Sequence, residues 1–312
     1  MKGAILTLDG FKIIAEDVPR HADDEILVKL IGCGVCSGDL FVYRNRNQLG
    51  TTVKRLGHEG SGRVVGVGRD VTGLELDDLV TTFAAPAYAE YIVARPETVV
   101  KLPARVDPVY ALGEAIACCV HAANRFELRP GDRVAVLGCG FMGLICLQLA
   151  RYHGAGDICA VDPLADRLEM GRRFGATAIL NPLEQSDEQI GNQLGEFDLV
   201  IEAAGTQGAI DLSTTLVKEH GRIVLIGYHQ SNDGLRTVNM ERWNYKAIDV
   251  VNGHVRRRDE KLAAMEKGMK LLSQGHLWTE PLVTTYNLYE AEQAFADLSA
   301  GKVGLFKAVL AM

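Results

Sequence analysis

Several things are scarce in this chain, and each scarcity removes a class of answer. No apolar run is long enough for a helix to span a bilayer, so no membrane partner is expected. Basic residues are outnumbered: Lys and Arg total 33 against 40 Asp and Glu, a net charge of −7. That balance argues against a nucleic-acid surface, which needs a basic stripe. Cysteine is sparse and odd in number, seven residues in all. Cys33 and Cys36 form C-x-x-C, but no second pair lies nearby to complete a four-cysteine metal site. A reduced, cytoplasmic setting fits this usage better than a disulfide framework. The opening residues reach Asp9 too early for a secretory signal. Internal repeats and low-complexity stretches are absent as well.

What is present is ordinary globular composition, 47% hydrophobic and 23% charged over 312 residues, enough for two domains. One stretch organises the rest. Val134 to Leu137 reads as a buried parallel strand, Gly138-Cys139-Gly140-Phe141-Met142-Gly143 follows it, and an apolar-faced helix runs on to His153. A second short strand then ends at Asp162, about twenty residues past the last glycine, which is the dinucleotide-binding order. Gly138 permits the tight turn, Gly140 admits a pyrophosphate to the backbone, and Gly143 lets helix and strand pack closely. Phe141 and Met142 open the helix, whose free N–H groups face the phosphates. Asp162 accepts hydrogen bonds from ribose hydroxyls and repels a 2′-phosphate, which favours NAD over NADP. Arg167, five residues on, reads equally as a ribose or adenine contact and as a surface residue.

Ahead of this stretch, residues 1–100 read mainly as strands and turns, with strands at Gly3–Leu8, Glu25–Ile31, Ser61–Val67 and Ala89–Val93. From about Asp107 the period changes. A helix-like stretch covers Tyr110–Leu128. Strand signals at 134–137, 158–161, 197–202 and 222–227 then alternate with helical ones at 164–174 and 208–217. Such alternation builds a parallel sheet covered on both faces. A strand at Ala247–Asn252 is expected at or near the sheet edge. A helix at 260–273, a strand at 281–286, a helix at 288–299 and a strand at 307–311 are expected to return to the N-terminal β body. The predicted architecture is α/β: a doubly wound Rossmann domain at 113–255 inserted into a β-rich domain made of 1–112 and 256–312. The active site is expected in the cleft, at the carboxyl ends of the parallel strands.

Two short stretches carry metal-binding residue types, Gly34-Val35-Cys36-Ser37-Gly38-Asp39 and Gly57-His58-Glu59-Gly60-Ser61-Gly62. Glu114 stands at the entry to the nucleotide domain. A thiolate, an imidazole and one or two carboxylates make a zinc site that keeps an open position. Such a site binds an alcohol oxygen and stabilises the alkoxide. Taken singly, Cys36 reads as a small buried hydrophobe and His58 as a satisfied core histidine. It is the combination that points to metal.

On these motifs, together with Ile201-Glu202-Ala203-Ala204-Gly205 and Gly221 to Gly227, the chain resembles the medium-chain, zinc-dependent alcohol and polyol dehydrogenases over essentially its whole length. The resemblance implies a GroES-like catalytic domain, Cys36 and His58 as zinc ligands, and Glu59 as ligand or supporting group. Glu114 matches the glutamate of the sorbitol-dehydrogenase-like branch, so either glutamate completes the sphere. Ser37, Asp39, Glu59, Glu114 and His254 are the candidate catalytic residues. Gly205 and Gly227 join the glycine turn as candidate cofactor contacts. A homodimer or homotetramer through the nucleotide domain is the family expectation, with a small alcohol or polyol as substrate.

Two departures matter. The family often carries four closely spaced cysteines that bind a structural zinc, whereas here Leu79 to Tyr91 runs straight through that point. One catalytic zinc and no structural zinc are therefore expected. The hydroxyl that relays the alcohol proton usually lies two residues past the ligand cysteine. This chain has Gly38 there, with Ser37 one place early and Phe41 where a relay histidine is common.

A polar region, His229, Gln230, Asn252, His254 and Arg256, suits a polyhydroxylated or anionic substrate, or else reads as exposed loop or subunit-contact residues. Arg256 to Glu260 reads as a solvated helix start, and Trp243 and Trp278 as packing or interface residues. The expected reaction is hydride transfer between a secondary alcohol and NAD. The alternatives are a zinc-free NADPH quinone or enone reductase, an NAD-retaining enzyme that oxidises transiently to eliminate or epimerise, and a non-catalytic NAD-binding protein.

Overall fold

The computed structural model describes all 312 residues, which divide into two compact units. One is Met1–Ala117 with Arg256–Met312, and the other is Cys118–Val255. The division falls inside the helix Gly113–Ala123. No helix is long and apolar enough to cross a membrane.

The first unit is built on a seven-stranded sheet. Its path runs through strands Val283–Asn287, Lys307–Ala311, Ile26–Gly34, Gly60–Val67, Leu79–Thr82 and Val99–Lys101, and Tyr91–Ala94 pairs with Ile26–Gly34. The C-terminal strands therefore do return to the N-terminal sheet, through the antiparallel register Val309↔Gly34 and Leu310↔Cys33. The strand Ile26–Gly34 alternates buried and less buried residues over its first half, then is buried through Gly32, Cys33 and Gly34. That burial reflects a partner strand on each side and follows the period-two rule. Beneath the sheet, Phe11, Tyr43, Tyr88 and Phe295 interlock, with ring centroids 4.6 Å apart for Phe11–Phe295 and 5.3 Å for Tyr43–Phe295. Glu292 ties this cluster together. Its carboxylate accepts from the Tyr43 hydroxyl at 2.6 Å and the Phe11 amide at 2.8 Å.

The second unit holds a six-stranded sheet in the order 178–180, 158–161, 134–137, 197–202, 217–225, 249–252. Every pairing is parallel. This is the doubly wound order, with the first strand of the motif at the point where the winding reverses. Val134–Leu137 and Ile158–Val161 are buried at every residue, as strands covered on both faces must be.

Local details differ from the sequence expectation. Cys36 is followed at once by a helix, Ser37–Arg44, that the glycine and the polar residues had concealed. The helix expected from Tyr110 starts only at Gly113, after a 3-10 turn at Pro108–Tyr110. The strand expected from Ala247 begins at Asp249, because Ala247 adopts a left-handed conformation (φ 47°) that ends the helix Met240–Lys246. It does lie at the sheet edge.

Candidate functional site

Strand register brings the metal-binding residue types together. In the antiparallel pair Ile26–Gly34 and Gly60–Val67, Cys33 faces Gly60. The residues just past Cys33 must then lie beside those just before Gly60, and the Gly34 amide donates to the Glu59 carbonyl at 3.0 Å. Cys36, His58 and Glu59 consequently converge, with ligand atoms all within 4.8 Å of one another. Cys36 and His58 are partly exposed, and Glu59 is buried at 2%. A soft thiol, an imidazole and a buried carboxylate are donor types that zinc takes.

Each donor is held by something behind it. Cys36 caps the helix Ser37–Arg44, its Sγ accepting from the Gly38 amide at 3.4 Å. Asp39, in the first turn, stands 3.7 Å from His58 Nδ1 and accepts from the buried Tyr88 hydroxyl at 2.7 Å. Burial, reinforced by the charge of Asp39, pushes the Tyr88 phenol well above its ordinary range, so it remains the donor. Glu59 is paired from beneath by Lys307, whose Nζ lies 2.8 Å from Oε1 and 2.6 Å from Oε2. Lys307 gets there because its strand pairs with Gly34, and the Val35 amide donates to the Ala308 carbonyl at 2.9 Å. Burial disfavours the ammonium, yet Glu59 and Cys36 hold its pKa above the ordinary lysine value. Burial also opposes charge on His58, but its hydrogen bond with Cys36 and the charges of Cys36, Asp39 and Glu59 push it up to about 9.

Glu114 stands apart from this trio. It sits in the first turn of Gly113–Ala123, where the Gly113 amide donates to Thr81 Oγ1 at 3.2 Å. Its Oε1 lies 2.6 Å from Lys261 Nζ. Burial opposes its charge and Lys261 more than offsets that, so the carboxyl is held below its ordinary value. Ser37 is exposed at the start of its helix. Sequence reasoning missed Lys261 and Lys307. A lysine between Phe306 and Ala308 in an otherwise apolar closing strand was the available signal for Lys307.

In the second unit the glycine turn has the form its spacing implies. Gly138 has φ +96°, and a β-carbon on Gly143 would stand 1.8 Å from the Gly138 carbonyl oxygen. A β-carbon on Gly140 would meet nothing nearer than Arg167 Nη1 at 3.9 Å. The helix that follows, Phe141–Tyr152, has no side chain capping its N-terminus. An open glycine and an uncapped twelve-residue helix form a cradle for an anion. Asp162 is buried at 2%, and its carboxylate accepts from the Cys139 amide at 2.8 Å and the Leu164 amide at 2.9 Å. Arg167 stands 3.7 Å from it, and its side chain is 32% exposed. Gly205 and Gly227 pack against each other, since a β-carbon on Gly227 would lie 2.4 Å from the Gly205 nitrogen.

Of the polar stretch, His229, Asn252 and His254 are hydrogen-bonded within this unit, Gln230 Nε2 is buried without a partner, and Arg256 belongs to the first unit. His229 Nε2 is 3.0 Å from the buried Glu202 carboxylate, and Arg236 Nε donates to His229 Nδ1 at 2.9 Å. His254 Nε2 lies 3.3 Å from the Gly227 carbonyl, and Asn252 Oδ1 accepts from the His254 amide at 2.9 Å. Trp243 donates to Thr214 Oγ1 at 2.8 Å, an anchoring contact.

Comparison with known proteins agrees with both halves of this architecture. The profile of the alcohol dehydrogenase GroES-like domain matches residues 22–104, and that of the zinc-binding dehydrogenases matches 142–272. D-arabitol-phosphate dehydrogenase of Enterococcus avium is 26% identical over 340 aligned positions, covering 96% of this chain and 95% of the relative. Sorbitol dehydrogenase of Bacillus subtilis is 28% identical over 333, covering 94% and 92%. Among solved structures, the alcohol dehydrogenase RspB of Escherichia coli CFT073, complexed with NADH, superposes with a TM-score of 0.89 at 20% identity, covering 100% of this chain and 99% of that one. Profiles matching both the β-rich and the nucleotide-binding regions, and relatives aligned from end to end, place the chain among the oxidoreductases of the medium-chain, zinc-type alcohol and polyol dehydrogenase family.

Proposed function

We propose that the protein oxidises a secondary hydroxyl of a polyol or sugar with NAD, using one zinc per chain held by Cys36, His58 and Glu59. The observation that carries this reading is the convergence of those three ligand atoms within 4.8 Å. Bound zinc supplies Lewis-acid polarisation of the substrate hydroxyl, and the nicotinamide supplies the hydride acceptor. The chain's own residues do the positioning. Asp39, held by Tyr88, faces His58 Nδ1 and orients the imidazole. Lys307 fixes the Glu59 carboxylate from behind. The glycine turn and helix N-terminus take the pyrophosphate, and Asp162 takes the adenosine ribose, which supports NAD over NADP.

Gly38 offers no hydroxyl, and Ser37 is exposed. The usual relay hydroxyl is therefore missing, and Asp39, 3.7 Å from His58 Nδ1, is a carboxylate beside the cluster that could take up a proton through the imidazole. No cysteine lies between Cys36 and Cys118, which supports a single zinc without a structural partner. The polyol class rests on the names of the relatives, D-arabitol-phosphate and sorbitol dehydrogenases. The open edge strand Asp249–Asn252 supports a homo-oligomer through the nucleotide unit.

The test is zinc content per chain in wild type and Cys36→Ser, with NADH production measured across free and phosphorylated polyols. One zinc, lost in the variant together with turnover, is expected. Folded wild type without zinc would leave the zinc-free reductase as the better reading. Substrate conversion with no net NADH would point to transient oxidation instead.

A further inference from the structure

Two candidate metal-binding carboxylates lie in the first unit, and each has its own lysine. Lys307 pairs with Glu59, which belongs to the three-donor cluster. Lys261 pairs with Glu114, which does not. The second pair is the informative one. Glu114 Oε1 and Lys261 Nζ are 2.6 Å apart, with side-chain exposures of 10% and 17%. A charge-assisted contact this short, mostly out of water, is stronger than a surface pair. Lys261 also lies over the Phe83 ring, 5.3 Å from Nζ to the ring centroid. Phe83 belongs to the direct run from Leu79 to Tyr91, so the short connection itself supplies one wall of the lysine's seat.

We propose that Lys261 is a positioning residue: held by Glu114 and Phe83, it keeps the Glu114 carboxylate out of the Cys36–His58–Glu59 donor set and so leaves the remaining metal position to substrate. This rests on the metal reading given above. Without the lysine, a mostly buried carboxylate loses its counter-charge and must find another cation or take up a proton. A β-carbon on Gly34 would stand 2.2 Å from Glu59 Oε2 and 2.9 Å from Leu112 Cδ2, which brings the start of the Glu114 helix beside the donor cluster. The protein therefore carries a fourth protein donor that its own lysine restrains.

The experiment loads wild type, Lys261→Met, Lys261→Arg, Glu114→Gln and the double variant Lys261→Met/Glu114→Gln with Co2+. It records the visible d–d absorption and the half-time of metal release to a chelator, with circular dichroism to confirm folding. In Lys261→Met the band should change shape and lose intensity as an oxygen donor is added, and release should slow about tenfold. Lys261→Arg, Glu114→Gln and the double variant should match wild type. An unchanged band in Lys261→Met would overturn the proposal. So would a double variant that keeps the slow release, because the effect would then not require the Glu114 carboxylate. Should Lys261→Met not fold, Glu114→Gln still decides, since any change in its band makes Glu114 a resident ligand. Folded wild type that takes up no stoichiometric Co2+ or Zn2+ would instead sink the metal reading itself.

Discussion

A β-carbon placed on Gly34 would stand 2.2 Å from Oε2 of Glu59 and 3.0 Å from Cε of Lys307. The glycine is the floor on which that ion pair rests. Gly34→Ala should therefore displace Glu59 while leaving the strand pairing intact, because the clash is with side-chain ends and not with backbone. The expected result is metal affinity reduced by about 10- to 100-fold, the usual effect of disturbing the support of a ligand. Metal competition against a chromophoric chelator reads it directly, and wild-type affinity would refute the argument.

Lys307 invites a sharper test. It is 6% exposed and faces a glutamate that is 2% exposed. Removing one member of a buried pair strands the other charge, at a cost of roughly 3–5 kcal/mol. Lys307→Met should lower stability by about that amount in the metal-free protein, read by urea unfolding. Lys307→Met/Glu59→Gln should recover most of it, because the double change strands no charge. A double variant as unstable as the single one would show that the loss comes from packing.

The parts of the molecule differ in how far sequence alone discloses them, and the differences have physical causes. The parallel sheet is legible because its strands are short apolar runs separated by a glycine turn and amphipathic helices, all local signals. The donor types at Cys36, His58 and Glu59 are legible as motifs too. Their convergence depends on the register Cys33↔Gly60, which no local pattern encodes. Least legible are the counter-ions. Lys307 is 248 residues from Glu59 and Lys261 is 147 residues from Glu114. Lys261 also lies just past a run of arginines and acids, where it passes for one more solvated charge.

Tyr43 gives a pH prediction with a definite sign. Burial, then its hydrogen bond to Glu292, pushes its pKa up to about 12 from the ordinary value of 10.0. The raised group is protonated in the folded protein over a window where the unfolded chain has already lost the proton. Its contribution is therefore complete below about pH 10 and is lost as pH rises towards 12. Tyr43→Phe should cost about 1 kcal/mol at neutral pH through the lost hydrogen bond. It should also flatten the alkaline fall in stability between pH 10 and 12. Urea midpoints across that range test it, and an identical slope in wild type and variant would contradict the assignment.

Arg236 is the least expected structural residue of the nucleotide unit. Its Nε donates to His229 Nδ1, its Nη1 to the carbonyls of Ser231 and Leu235, and its Nη2 to the Gly205 carbonyl and Ser231 Oγ. Every N–H of the guanidinium is thereby engaged within the protein, so this arginine clasps its own loop and is not available to an anionic substrate. The clasp also sets the tautomer of His229. Because Nδ1 accepts, Nε2 carries the proton towards the Glu202 carboxylate, which in turn accepts from the Ala204 and Gly205 amides. Arg236→Met should free residues 228–235 on one side and release His229 on the other. Amide exchange over that loop should quicken by about tenfold or more, as expected for the loss of roughly 1.5–3 kcal/mol of charged hydrogen bonding. Arg236→Lys should not rescue it, since an ammonium cannot reproduce a planar fork of donors aimed at several acceptors. Exchange in Arg236→Met as slow as in wild type would show that the loop is held by its packing, with the guanidinium merely lying against it.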